Sequence, residues 1–119
     1  SGCFFMIKSE VLKRISYFDE NVFLYYEENI LGEKLRNSSY TLVICNEALI
    51  IHDHSVSIDH NVGTINKFKI LKTSQRYFQK KYHYATEKEI RKLKFTSNLT
   101  LITIYIRVFL KGGFKKWKE

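Results

Sequence analysis

Residues 22–36, VFLYYEENILGEKLR, place the tightest constraint on what this chain can become. An aromatic and apolar run, Phe23-Leu24-Tyr25-Tyr26, leads directly into two adjacent carboxylates, Glu27 and Glu28. A helical pattern follows, in which Ile30, Leu31 and Leu35 share one face. That face must be buried, so the acids are held in the helix's first turn, at the positive end of its dipole and beside aromatic rings. The pair has two readings, as first-turn acids that only cap the helix or as the source of a general base.

The segments around it alternate short apolar runs with longer amphipathic ones. Residues 2–7 and 48–52 read as short buried strands, and residues 40–45 as a strand rich in β-branched and aromatic residues. Ser9 is placed to cap a helix beginning near Glu10, with Val11, Leu12 and Ile15 facing inward. Phe18 anchors a turn in the core, with Asp19 and Glu20 facing solvent or capping. From Thr64, the residues Ile65, Phe68, Leu71, Gln75 and Phe78 follow helical spacing, and Tyr77, Tyr82, His83 and Tyr84 close that helix. Thr86 and Glu89 form a capping box for a last helix that is expected to stop at Gly112-Gly113.

With 119 residues the chain suffices for one modest core, and its 45% hydrophobic content argues against disorder. The net charge of +8 suits nucleic acid, an anionic membrane face or phosphorylated ligands. Cys3 and Cys45 lack metal spacing and read as buried free thiols in a reducing compartment, hence a cytoplasmic location. The start has neither a basic n-region nor a long apolar stretch, so no signal peptide is read, and without an initiator Met the chain is expected to be a piece of a longer one.

The order Phe18-Asp19-Glu20, Phe23-Leu24-Tyr25-Tyr26-Glu27-Glu28, Ile30-Leu31-Gly32 resembles the acidic motif of family-2 glycosyltransferases. An opening like Ser1-Gly2-Cys3-Phe4-Phe5-Met6-Ile7-Lys8 precedes that motif in the family, and a strand ending in histidine, like Ala48-Leu49-Ile50-Ile51-His52, follows it. The blocks fall in the family's order over residues 1–57. One departure is that Ser16 and Tyr17 stand where the family often has two glycines.

The resemblance implies an α/β fold (α+β for the isolated piece). It would be the C-terminal half of a GT-A nucleotide-diphospho-sugar transferase fold, with residues 1–85 in the catalytic domain and residues 86–119 as a basic, apolar helical tail. It also implies an inverting bacterial glycosyltransferase that moves a sugar from a nucleotide-sugar donor to a glycan or lipid-linked acceptor in cell-surface polysaccharide synthesis. Glu28, at the second acidic position, is then the general base, and Glu27 orients the acceptor or the helix. Tyr25 and Tyr26 stack on sugar rings, while His54, Ser55 and Ser57 contact substrate from the segment after the strand.

His52 and His54 are two apart in a strand and so share a face, but no third metal ligand is evident nearby. From the residues alone, His52 is a strand-end histidine with a backbone partner. By resemblance it completes the coordination of a divalent metal, Mn or Mg. The Asp-x-Asp through which these enzymes grip metal and diphosphate does not occur, so the sequence matches only the second half of the catalytic domain and should be inactive alone.

The apolar run 95–110 contains Arg107 and is shorter than the ~20 residues of a spanning helix. Basic residues flank it on both sides. It reads either as a helix buried against the core or a second subunit, or as a peripheral attachment to the anionic inner face of the cell membrane. The rival functional classes are a basic nucleic-acid-binding module, whose oligonucleotide binding would fall steeply with salt, and a non-catalytic docking domain.

Overall fold

The computed structural model describes residues 4–51 and 63–115, the last five of these as backbone only. The described residues form the helices α1 (Ser9–Arg14), α2 (Glu27–Asn37), α3 (Thr64–Tyr82) and α4 (Glu87–Lys115). They contain no strand, which overturns the α/β class and the GT-A half-fold expected above. A strand exists only by exchanging N–H and C=O groups with a neighbour. Residues 4–7, 40–45 and 48–51 do not pair with one another, so their apolar pattern alone leaves them irregular. Ile51, expected in a buried strand, is 96% exposed, and Val43 is 86% exposed. Cys45 is an exposed free thiol rather than a buried one, and Cys3 lies outside the described residues.

The helices follow the apolar periodicity. Ile15, Leu31 and Leu35 are buried together, with Ile7, Val11, Leu12 and Tyr40 packed against them, so α1 and α2 meet along the faces their spacing marks out. Ser9 lies inside the first turn of α1 and does not cap it, because Lys8 holds the N-cap position with no side-chain bond. Phe18 is 46% exposed and leans on Phe5 rather than entering the core.

Both α1 and α2 end in the same device. The Tyr17 N–H donates to the Leu12 carbonyl (2.9 Å) and the Ser16 N–H to that of Lys13 (3.0 Å). At the end of α2, the Tyr40 N–H donates to Leu35 (3.1 Å) and the Ser39 N–H to Arg36 (3.2 Å). This paired pattern is the Schellman termination, whose left-handed position is usually glycine because a Cβ is disfavoured there. Here it is serine, Ser16 at φ 58° and Ser39 at φ 60°, with Tyr17 also left-handed at 55°. The first turn is clamped from α2, where the Lys34 ammonium donates to the carbonyls of Ser16 (3.3 Å) and Tyr17 (2.8 Å).

α3 packs on both α2 and α4. Ser74 Oγ donates to the Leu24 carbonyl (2.8 Å), and the Phe78 ring sits 5.2 Å from that of Tyr26. On α4, Ile90 and Ser97 are buried and Leu93 and Leu101 half-buried, a 3–4 residue spacing that marks one packed side. The expected capping box is present: the Thr86 N–H and hydroxyl donate to Glu89 Oε2 at 2.8 and 2.7 Å. α4 passes through Gly112-Gly113 to Lys115 instead of stopping there. Glycine costs only about 1 kcal/mol relative to alanine in a helix, and propagation of an existing helix can absorb that.

The radius of gyration is 18.4 Å, against about 13.5 Å for a compact domain of this length. The structure is therefore extended, and buried apolar side chains are few among the described residues.

Relief of the left-handed serines should stabilise the fold. Ser16→Gly and Ser39→Gly are each expected to add about 0.5–1 kcal/mol. Urea unfolding should show this as a higher midpoint at unchanged slope. Loss of stability in both variants would mean that the serine side chains contribute more than the backbone relief.

Candidate functional site

The two carboxylates at the start of α2 do not act on the same space. Successive helical residues are about 100° apart, so Glu27 and Glu28 point to different sides. Glu27 is half-buried and lines a cavity of about 240 Å³ with Tyr17, Phe18, Asp19 and Lys34. Glu28 is exposed and lines an open cleft of about 540 Å³ whose walls include Glu33, Arg36, Tyr40, Phe78 and His83. The residues just before them are strained: Tyr25 and Tyr26 have φ of 66° and 72°, and Tyr26 occupies the N-cap of α2. Such a backbone persists only when its surroundings over-determine it. The Tyr26 ring is engaged by Phe78, and the adjacent Leu24 carbonyl by Ser74.

The cleft is polar on one wall and apolar on the other. The Arg36 guanidinium donates to Glu33 Oε2 through Nε (3.1 Å) and again through a terminal nitrogen. His83 Nε2 lies 3.5 Å from the other Glu33 oxygen, and its ring is 4.5 Å from that of Phe78. The Arg36 hydrogen bonds hold the Glu33 carboxyl below its ordinary pKa, against the opposing effect of burial, and His83 adds in the same direction. Tyr40, Leu42 and Phe78 supply the apolar side. A surface of this kind, with charged hydrogen-bonding groups facing aromatic and aliphatic ones, suits a polyhydroxylated ligand with apolar ring faces.

Behind this site lies a second cluster, centred on Asp19, whose side chain is only 3% exposed. Oδ2 accepts hydrogen bonds from the hydroxyls of Tyr82 (2.6 Å) and Tyr77 (2.7 Å) and from the Lys81 ammonium (2.9 Å). Oδ1 accepts from the side chain and backbone of Asn21, at 2.7 and 3.1 Å. Lys81 also donates to the Tyr77 hydroxyl (2.6 Å). Burial alone would raise the Asp19 pKa, but the bonds from Tyr82, Asn21, Tyr77 and Lys81 outweigh it and hold the carboxyl far below the usual range. The Tyr82 hydroxyl is pushed up to about 12, by burial first and then by its bond to Asp19. Bonding to Tyr77 and Asp19 raises the Lys81 ammonium above its ordinary value. Asp19 is thus a structural acceptor, not the solvent-facing or capping acid expected from the sequence.

Of the residues assigned from the sequence, Tyr25, Tyr26, Glu27 and Glu28 stand together at the start of α2. His52, His54, Ser55 and Ser57 lie outside the described residues. Among the described residues no group of three or more His, Cys, Asp or Glu side chains could hold a metal ion. Two features were not anticipated, the Asp19 cluster and the entry of His83 into the cleft. Tyr77 and Lys81 at i and i+4 mark a common helical face, but their partner is 58 to 62 residues away in sequence. Comparison with family models, with curated proteins and with solved structures finds no match for this chain.

Asp19→Asn should destabilise the protein by about 2–4 kcal/mol at neutral pH, because an amide cannot accept all five bonds and presents donors to donors. The pH dependence follows from the depressed pKa. The contribution of Asp19 is complete above about pH 4, where the unfolded aspartate is ionised, and is lost as pH falls further. Chemical denaturation at several pH values should show a weaker acid dependence in Asp19→Asn than in the native chain. An unchanged acid limb would show that other carboxylates carry it.

Proposed function

We propose that this chain is the acceptor-side portion of an inverting glycosyltransferase, acting on a nucleotide-sugar donor and a glycan or lipid-linked acceptor in cell-surface polysaccharide synthesis. The observation that carries the reading is the position of Glu28, an acid in a helix's first turn at an open cleft with hydrogen-bonding and aromatic walls. The left-handed pair Ser16-Tyr17 supports it as well. These residues stand where the family often has two glycines, and they adopt the backbone that glycines would take without steric penalty.

In this reading Glu28 accepts the proton of an acceptor hydroxyl. The oxygen so activated forms a bond to the anomeric carbon of the donor as the bond to the diphosphate breaks. In the same reading Arg36 and His83 bind acceptor hydroxyls and Phe78 lies against a ring face. Glu27, facing the other cavity, supports the turn rather than the reacting atoms. The divalent metal implied by the resemblance would take His52.

The test uses the complete polypeptide that contains this sequence. Glu28→Gln should lower turnover by about 10²–10⁴-fold while leaving donor binding intact, with a much smaller effect from Glu27→Gln. The reverse order would move the base to Glu27. The purified chain alone, without an Asp-x-Asp segment, should neither transfer sugar nor hydrolyse donor. Robust transfer by the chain alone would overturn the proposed division of labour.

A further inference from the structure

α4 has a second side that no other described residue covers. Helical steps of 100° place Phe95, Leu99, Ile102, Ile106 and Phe109 on one arc, roughly opposite the side packed on α3. These residues are 64%, 50%, 55%, 54% and 81% exposed. The same arc, continued toward the helix start, carries Lys88, Arg91 and Lys92, all exposed, and no acidic residue. An apolar strip on one helix face that ends in a basic cluster matches a bilayer with anionic headgroups, where acyl chains take the rings and phosphates take the lysines.

We propose that α4 docks through this face onto an anionic lipid bilayer, lying in the plane of the membrane. By length and composition Glu87–Leu110 is long and apolar enough to cross a membrane. The packing argues for the in-plane arrangement. Lys69 of α3 sits 6.0 Å from the ring of Tyr105, so α3 runs beside the apolar half of α4. Crossing would carry Lys69 and Arg107 into hydrocarbon, where charged groups are costly. A second copy is the weaker occupant, since it brings the same unopposed positive cluster and the chain already carries a net charge of +8. This inference is independent of the sugar-transfer reading.

The test is flotation of the protein with vesicles of phosphatidylcholine alone and of an equal mixture with phosphatidylglycerol. Association with the anionic vesicles and little with the neutral ones is expected. Replacing Lys88, Arg91 and Lys92 together by glutamine should weaken binding by roughly a hundredfold, at about fivefold for each basic residue. The pair Ile102→Asn and Phe109→Asn should weaken it about tenfold or more. All five positions are exposed, so circular dichroism should show native helicity in both variants. Equal flotation with neutral vesicles, no response to either variant, or dimerisation in lipid-free sedimentation that the apolar pair abolishes would each overturn the proposal. So would retention in the membrane after an alkaline carbonate wash, which would mean that α4 crosses.

Discussion

One buried carboxylate ties the two ends of this structure together. Asp19 precedes α2 in the chain, yet most of its partners (Tyr77, Lys81 and Tyr82) belong to the last turns of α3. A carboxylate removed from water must have its lone pairs occupied or it will not remain ionised. Here both oxygens are saturated by five donors, so the segment before α2 cannot leave α3 without exposing an unsatisfied charge. The remainder of the site is built on that fixed point. The nearby Ser74 bond to Leu24 and the Phe78 contact with Tyr26 secure the next residues along.

Two strained pairs lie close to these attachments. Tyr25 and Tyr26 enter α2 in left-handed conformations, and Ser16 and Tyr17 leave α1 in the same way. Neither pair contains glycine, so each depends on contacts from other elements, Lys34 in one case and α3 in the other. The first turn of α2 follows directly, and its 100° step per residue sends the adjacent acids to two cavities. Strain of this kind is found where geometry matters more than local stability.

The fold also leaves much apolar surface uncovered. Among the described residues the core is built on Ile15, Ile30, Leu31, Leu35, Phe78 and Ile90 and is small, while Val43, Leu49, Ile51 and the outer face of α4 meet solvent. Large exposed apolar areas mark surfaces that meet something else. On α4 the neighbouring basic residues favour anionic lipid as that partner. Residues 40–51 carry no comparable charge pattern.

The sequence by itself determined the helices. Their apolar residues recur at 3–4 positions, and Thr86-x-x-Glu89 marks a start, so α2, α3 and the beginning of α4 lie where the pattern puts them. Helical hydrogen bonds are local and need no distant partner. The strands failed for the opposite reason: an apolar run specifies a strand only if another backbone pairs with it, and the runs at 4–7, 40–45 and 48–51 find none among the described residues. Only the tertiary structure decided the rest of the site. The motif drew attention to Glu27 and Glu28 together, but helical rotation and the packing of α3 gave them different cavities. It also brought His83 to the side of Glu28 and turned Asp19 from a surface acid into a buried acceptor. Those outcomes depend on contacts between residues 50 or more positions apart, and such contacts leave no local pattern to read.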